Sequence, residues 1–164
     1  MRALHLGSGG LALRNDLPQP EPVPGEALIR LVLAGICSTD LELVKGYYGF
    51  EGVLGHEHVG VVEAAEQGEW VGRRVVGTIN LGCRRCSICL GRGPEHCPQR
   101  TVLGIFRRQG AFADYLTLPI SNLLEIPAAV PDEAAVFTEP LAAALRIREQ
   151  IVVEPSARLA WSAV

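Results

Sequence analysis

Four cysteines fall within fifteen residues as Cys83-x2-Cys86-x2-Cys89-x7-Cys97, and no other feature constrains the chain as tightly. Three thiols share one short loop and the fourth returns to it, an S4 set that suits the tetrahedral preference of Zn2+. Four protein ligands leave no open position, so the ion is expected to be structural. It would staple Leu81 to Gln99, a segment too rich in Gly, Arg and Ser to order itself by burial. Arg84, Arg85 and Arg92 would offset part of the negative charge of a tetrathiolate. An iron–sulfur cluster uses similar short spacings, and four unligated surface thiols are the plainest alternative. Metal analysis and visible absorption separate these readings, since a brown protein would exclude zinc.

With 164 residues, 48% of them hydrophobic, the chain can bury one substantial core. Fifteen basic against eighteen acidic residues give a net charge of −3, and the basic ones are all arginine except Lys45, scattered along the chain. Neither nucleic acid nor an anionic membrane surface is therefore an expected partner. No stretch reaches the roughly 18 to 20 apolar residues of a membrane span, and Met1-Arg2-Ala3 runs into folded-looking sequence without a signal-peptide core. A cytoplasmic location is expected, where thiols stay reduced and clustered cysteines bind metals rather than each other.

Along the chain the pattern is mainly strand. Met1 to Leu13 alternates around three glycines as a hairpin, and the four prolines between Leu17 and Gly25 force an extended crossing. Glu26 to Gly35 alternates as a strand that ends at Cys37. Ser38 to Lys45 has helical spacing, with Leu41 and Val44 on one side and Asp40 where a carboxylate meets a helix amino end. His58 to Ala64, Arg73 to Thr78, Ala111 to Leu118 and Leu123 to Ile126 read as strands. A helix is expected after Pro131, interrupted at Pro140 so that Thr138 and Glu139 stand at a break, and resuming from Leu141 to about Gln150. Many short strands and few helices predict a mainly β fold, an all-β barrel with helices on its rim.

The fifth cysteine, Cys37, offers sulfur beside Gly55-His56-Glu57 and Glu139, which together supply S, N and O donors. Such a mixed set is typical of catalytic zinc, which keeps one position for substrate. Taken singly, a buried Cys, a hydrogen-bonded His and a solvated Glu explain these residues as well.

Cys37-Ser38-Thr39-Asp40, Gly55-His56-Glu57-His58-Val59-Gly60, the four-cysteine loop and Thr138-Glu139-Pro140-Leu141-Ala142, in this order, resemble the zinc-dependent medium-chain alcohol and polyol dehydrogenases. The glutamate before Pro140 places the chain nearer the sorbitol, threonine and glucose dehydrogenase branch. The resemblance covers residues 1–150 and implies a GroES-like β barrel, the catalytic domain of that family. It implies that Cys37, His56 and Glu139 ligate a catalytic zinc, with Glu57 an alternate ligand displaced during turnover. It also implies that Thr39 takes the alcohol proton into a relay and that Asp40 orients His56. Where the family often has His at the relay's outer end, this chain has Glu42. His58 is expected to be a hydrogen-bonded strand residue, and His5 and His96 to be surface or structural. Tyr47, Tyr48 and Phe50 could line a substrate pocket or simply pack.

Family members pass a hydride to NAD or NADP held by a Rossmann domain opening on Gly-x-Gly-x-x-Gly, a motif this sequence lacks. Residues 151–164 read as a linker whose Ser156 to Ala160 resembles the entry to that domain's first strand. The resemblance thus implies a portion of an NAD(P)-linked oxidoreductase acting on a small alcohol or polyol, expected to be inactive alone. The complete enzyme would be a dimer or tetramer. The face that packs on a nucleotide domain is expected to be apolar and prone to self-association. A free-standing zinc-binding scaffold would need only the cysteine loop, and a zinc hydrolase using Glu57 as base lacks His-Glu-x-x-His, because residue 60 is Gly.

Overall fold

The computed structural model describes residues 1–151, so the expected linker lies almost wholly outside the described residues. The hairpin forms as β1 (Ala3–Gly7) and β2 (Gly10–Arg14), and the proline-rich crossing leads without regular structure into β3 (Glu26–Gly35). Then come α1 (Ser38–Val44), β4 (Gly52–Val53), β5 (Glu57–Ala65) and β6 (Arg74–Gly77). The cysteine lobe follows, with β7 (Asn80–Leu81), α2 (Ser87–Arg92), β8 (Thr101–Leu103) and β9 (Arg107–Arg108). The chain closes with β10 (Tyr115–Pro119), β11 (Leu123–Glu125), α3 (Asp132–Ala135) and α4 (Thr138–Gln150).

Three sheets result, in the orders β2-β1-β4, β10-β3-β5-β6-β11 and β7-β8-β9. All pairings are antiparallel except β8 with β9. The fold is therefore mainly β, with its helices outside the sheets. The five-stranded sheet carries the main core, in which Ala27, Ile29, Val62, Val75, Leu103 and Leu118 are almost inaccessible to water. Each such branched side chain contributes about 1.5–3 kcal/mol on burial. Val59 and Val76 on the other face of the sheet pack against Ala135 and Val136 of the α3 segment. Leu6, Leu43 and Leu54 form a smaller cluster that fixes α1 to the hairpin sheet.

Several expectations change in detail. The buried side of α1 carries Asp40 and Leu43, whereas Leu41 and Val44 are exposed at 56% and 42%. The cysteine loop contains a helix of its own, α2. The stretch 111–114 is not strand, although Ala111 and Phe112 donate to Gly55 and Leu54 carbonyls at 2.8 Å. The helix break falls at Val136 and Phe137, so Thr138 and Glu139 lie inside α4 rather than at a break. Pro140 is tolerated there because the first-turn N–H groups of a helix have no intrahelical acceptor.

Candidate metal centres

The four cysteines of the loop each bring a sulfur to within 4.8 Å of the others. The Sγ–Sγ separations are 3.8 Å for Cys83 and Cys89, 4.0 Å for Cys86 and Cys97, and 3.7 Å for Cys83 and Cys97. A tetrahedron with metal–sulfur bonds of about 2.3 Å has edges of about 3.8 Å. The set thus fits one tetrahedral ion, and a multi-iron cluster, whose cysteines bind different irons, needs wider spacing. Cys86 caps α2 by accepting the Cys89 N–H at 3.4 Å, so the helix presents two ligands from one turn.

The N–H groups of Arg85 and Cys86 bring the Cys83 thiol down to about 6, while burial beside Cys86 and Cys97 pushes Cys89 up to about 12. Without a cation one thiolate, at Cys83, is tolerated beside a thiol at Cys89 that keeps its proton. Arg84 does more than offset charge. It donates to the Ser121 carbonyl at 2.8 Å and to Asn122 Oδ1 at 3.0 Å, tying the loop to the body. Asn122, 2% exposed and unnoticed in the sequence, donates in turn to Thr78 and Asn80. Its one signal was a polar residue ahead of an apolar strand.

The second group is built by the register of β3 and β5, which pairs Gly35 with Glu57. Cys37, just past β3, and His56-Glu57, opening β5, thereby become neighbours across about 20 residues of sequence, their ligand atoms within 4.8 Å of one another. A Cβ at Gly35 would push against the Glu57 carboxylate and shift it from its place in the trio. The segment leading into His56 is held by backbone bonds from Gly110, Ala111 and Phe112 to the carbonyls of Val53, Gly55 and Leu54, and a Cβ at Gly110 would meet the Leu54 and Gly55 backbone. Neither glycine was singled out from sequence.

Asp40, 2% exposed, holds both ligand corners. Its Oδ2 accepts the Cys37 N–H at 2.9 Å and its Oδ1 accepts the Gly55 N–H at 3.3 Å. Oδ1 also stands 3.3 Å from His56 Nδ1, too poorly aligned for a hydrogen bond but close enough for charge to act. Burial opposes a charge on His56, yet Asp40 and then Cys37 outweigh it and raise the imidazole to about 9. Burial likewise opposes ionisation of Cys37, but Thr39 and His56 lower the thiol below its ordinary value. Thr39 Oγ1 lies 3.6 Å from Cys37 Sγ.

Glu139 is half-buried in the first turn of α4 and outside the trio. Burial and the Glu57 charge raise its carboxyl while His56 opposes them, which places it in the electrostatic reach of the site. His58 is a buried strand residue, as expected, but neither ring nitrogen has a hydrogen-bond partner among the described residues. Burial pushes it down to about 4, so it stays neutral. Glu42 pairs with Lys45 at 2.7 Å on the exposed face of α1. His96 is exposed beside Glu95, and His5 is half-buried in β1. Tyr47 and Tyr48 are exposed, whereas Phe50 is half-buried beside the Leu43 cluster.

The mainly β chain thus presents one S4 donor set and one mixed S/N/O donor set, both of kinds that can hold zinc. The chain belongs to the alcohol dehydrogenase GroES-like domain family, which residues 23–128 match. L-threonine 3-dehydrogenase of Stenotrophomonas maltophilia is 37% identical over 134 residues, 76% of this chain and 39% of that enzyme. An Escherichia coli structure described as a short chain alcohol dehydrogenase with NADH superposes with a TM-score of 0.85 at 31% identity, over 92% of this chain and 45% of that one. Haloferax mediterranei glucose dehydrogenase, solved with NADP, Zn and gluconolactone, gives 0.78 at 28% identity over 92% and 45%. The chain thus spans less than half the length of these relatives.

Proposed function

We propose that the chain is the catalytic, zinc-binding domain of a zinc-dependent dehydrogenase that oxidises an alcohol or polyol to a carbonyl and passes the hydride to NAD or NADP. The reading rests on the convergence of Cys37, His56 and Glu57 on one point with Asp40 buried beneath them. Zinc bound there would act as a Lewis acid on an alcohol oxygen and lower its pKa. Cys37 and His56 would hold the ion, and Glu57 and Glu139 would share the remaining protein position. Thr39, beside Cys37 Sγ, would accept the alcohol proton, and Asp40 would orient His56 through its charge and through the Cys37 and Gly55 N–H groups it binds. Cys83, Cys86, Cys89 and Cys97 would hold the structural zinc. Residues 1–150 form this domain, and residues 151–164 lead toward a nucleotide-binding domain.

All five thiols are unpaired, which supports a reducing, cytoplasmic setting. Among the described residues no helix is long and apolar enough to cross a membrane. The complete enzyme would be a dimer or tetramer. Metal content per chain tests the site assignment. Wild type is expected to hold two zinc ions and Cys37→Ser about one, because only the open site loses a ligand. In the cobalt-substituted wild type, adding an alcohol should shift the visible d–d bands, and the Cys37→Ser protein should lack that response. One ion in both proteins would remove the catalytic centre from the proposal.

A further inference from the structure

A cleft of about 500 Å3 opens between the hairpin, the proline-rich crossing and the β9–β10 segment, with His5, Pro18, Val53, Arg107, Gln109 and Tyr115 among its walls. No candidate metal ligand lines it. A second hollow of about 420 Å3, walled by Tyr48, Glu51 and Phe106, shares Arg107, Arg108 and Gln109 with the first. The two arginines on the common ridge differ in what they are free to do. Arg108 donates to Glu26 Oε1 at 2.8 Å, to the Thr117 carbonyl at 2.7 Å and to Thr117 Oγ1 at 2.9 Å, so its charge is matched and its position fixed. Arg107 enters no ion pair among the described residues. Its guanidinium stacks on Phe106 at 4.9 Å from the ring centroid, and its backbone sits at φ +54°, a conformation that costs a non-glycine residue energy.

The remaining polar groups are donors as well. Gln109 Oε1 is occupied by the Val53 N–H at 2.6 Å, which turns the amide so that its NH2 is the uncommitted end. No carboxylate lines the first cleft, since Glu26 is taken by Arg108 and Glu51 belongs to the second hollow. A planar guanidinium fork matches two oxygens of a carboxylate or phosphate, and stacking on an aromatic ring holds that fork in place. We propose that this cleft binds a small organic oxoanion, a carboxylate or a phosphate ester. Its charged end rests on Arg107 and Gln109, and its apolar body on Leu17, Pro18 and Val53. The site is separate from both metal centres and stands whether or not the dehydrogenase reading does.

The test is a titration of the zinc-loaded chain with benzoate, phenyl phosphate and inorganic phosphate at constant ionic strength, followed by amide NMR. Saturable shifts are expected at residues 5, 53, 107–110 and 115–117. Arg107→Gln should weaken binding by about tenfold or more, and Arg14→Gln should leave it unchanged. Arg107→Gly removes the same charge while relieving the positive φ, and serves if the Gln variant folds poorly. A response to benzoate alone identifies a carboxylate ligand, and one to either phosphate a phosphoryl group. Shifts that do not saturate, that centre on Cys37 and His56, or that persist in both Arg107 variants would overturn the proposal.

Discussion

Asp40 shows how one buried carboxylate organises a site. It fastens the N–H of Cys37 and the N–H of Gly55 while facing His56 with its charge, so removing that charge loosens both ligand corners at once. Asp40→Asn, which keeps the volume, is expected to weaken zinc at the open site by about 10–100-fold and leave the four-thiolate site untouched. Chelator competition checks this, and equal affinities would refute it. The pH dependence carries a definite sign. In the metal-free chain His56 is raised above its ordinary value to about 9. Its pairing with Asp40 therefore stabilises the fold fully below about pH 6.5 and is lost as pH rises through 9. Zinc needs the neutral imidazole and the Cys37 thiolate, so its affinity should climb by about tenfold or more per pH unit from 7 toward 9. In Asp40→Asn that climb should level off at lower pH, because the proton is held less tightly.

At the scale of elements, β3 was legible to the residue, because a run of Leu, Ile and Val broken only by Arg30 lies between the turn at Gly25 and Gly35. The α1 face was not. Apolar Leu41 and Val44 point outward, and a charged residue is buried because it serves two backbone donors rather than the core. Pro140 misled for a related reason, since a proline that would break a helix interior costs little in a first turn. The cysteine spacing anticipated the cluster of four sulfurs, whereas the convergence of Cys37 with His56 depends on strand register, so the residues alone offered only a loose donor set and the family likeness gave it weight. Within the lobe, order should depend on the ion, because Cys97 is fully buried with its sulfur 3.7 and 4.0 Å from those of Cys83 and Cys86. Cys97→Ser is thus expected to lose the structural zinc while keeping the ion at Cys37. Trypsin should then cut rapidly at Arg84, Arg85 or Arg92, where wild type resists. Equal digestion rates would show that the loop is ordered without metal.

For the whole molecule, the telling feature is α4, whose residues from Leu141 to Gln150 are all exposed. Phe137, Leu141 and Leu145 recur at four-residue spacing and are 60%, 57% and 50% exposed, so they form an uncovered stripe along one side of the helix. Only the start of α4 touches the body, and an amphipathic face of this kind is stable chiefly when something covers it. The relatives are more than twice as long as the region they share with this chain, which leaves room in them for a covering domain. In the isolated chain a second copy is the available cover. Completing the burial of such half-exposed side chains yields about 1 kcal/mol each, set against association costs of several kcal/mol, which predicts a weak dimer with a dissociation constant of about 100 μM. Sedimentation velocity should show concentration-dependent association at about 100 μM. Leu141→Glu combined with Leu145→Glu should return the chain to a monomer with both zinc ions retained, because neither residue reaches a metal centre. A wild-type chain that stays monomeric at that concentration would mean that α4 needs no cover.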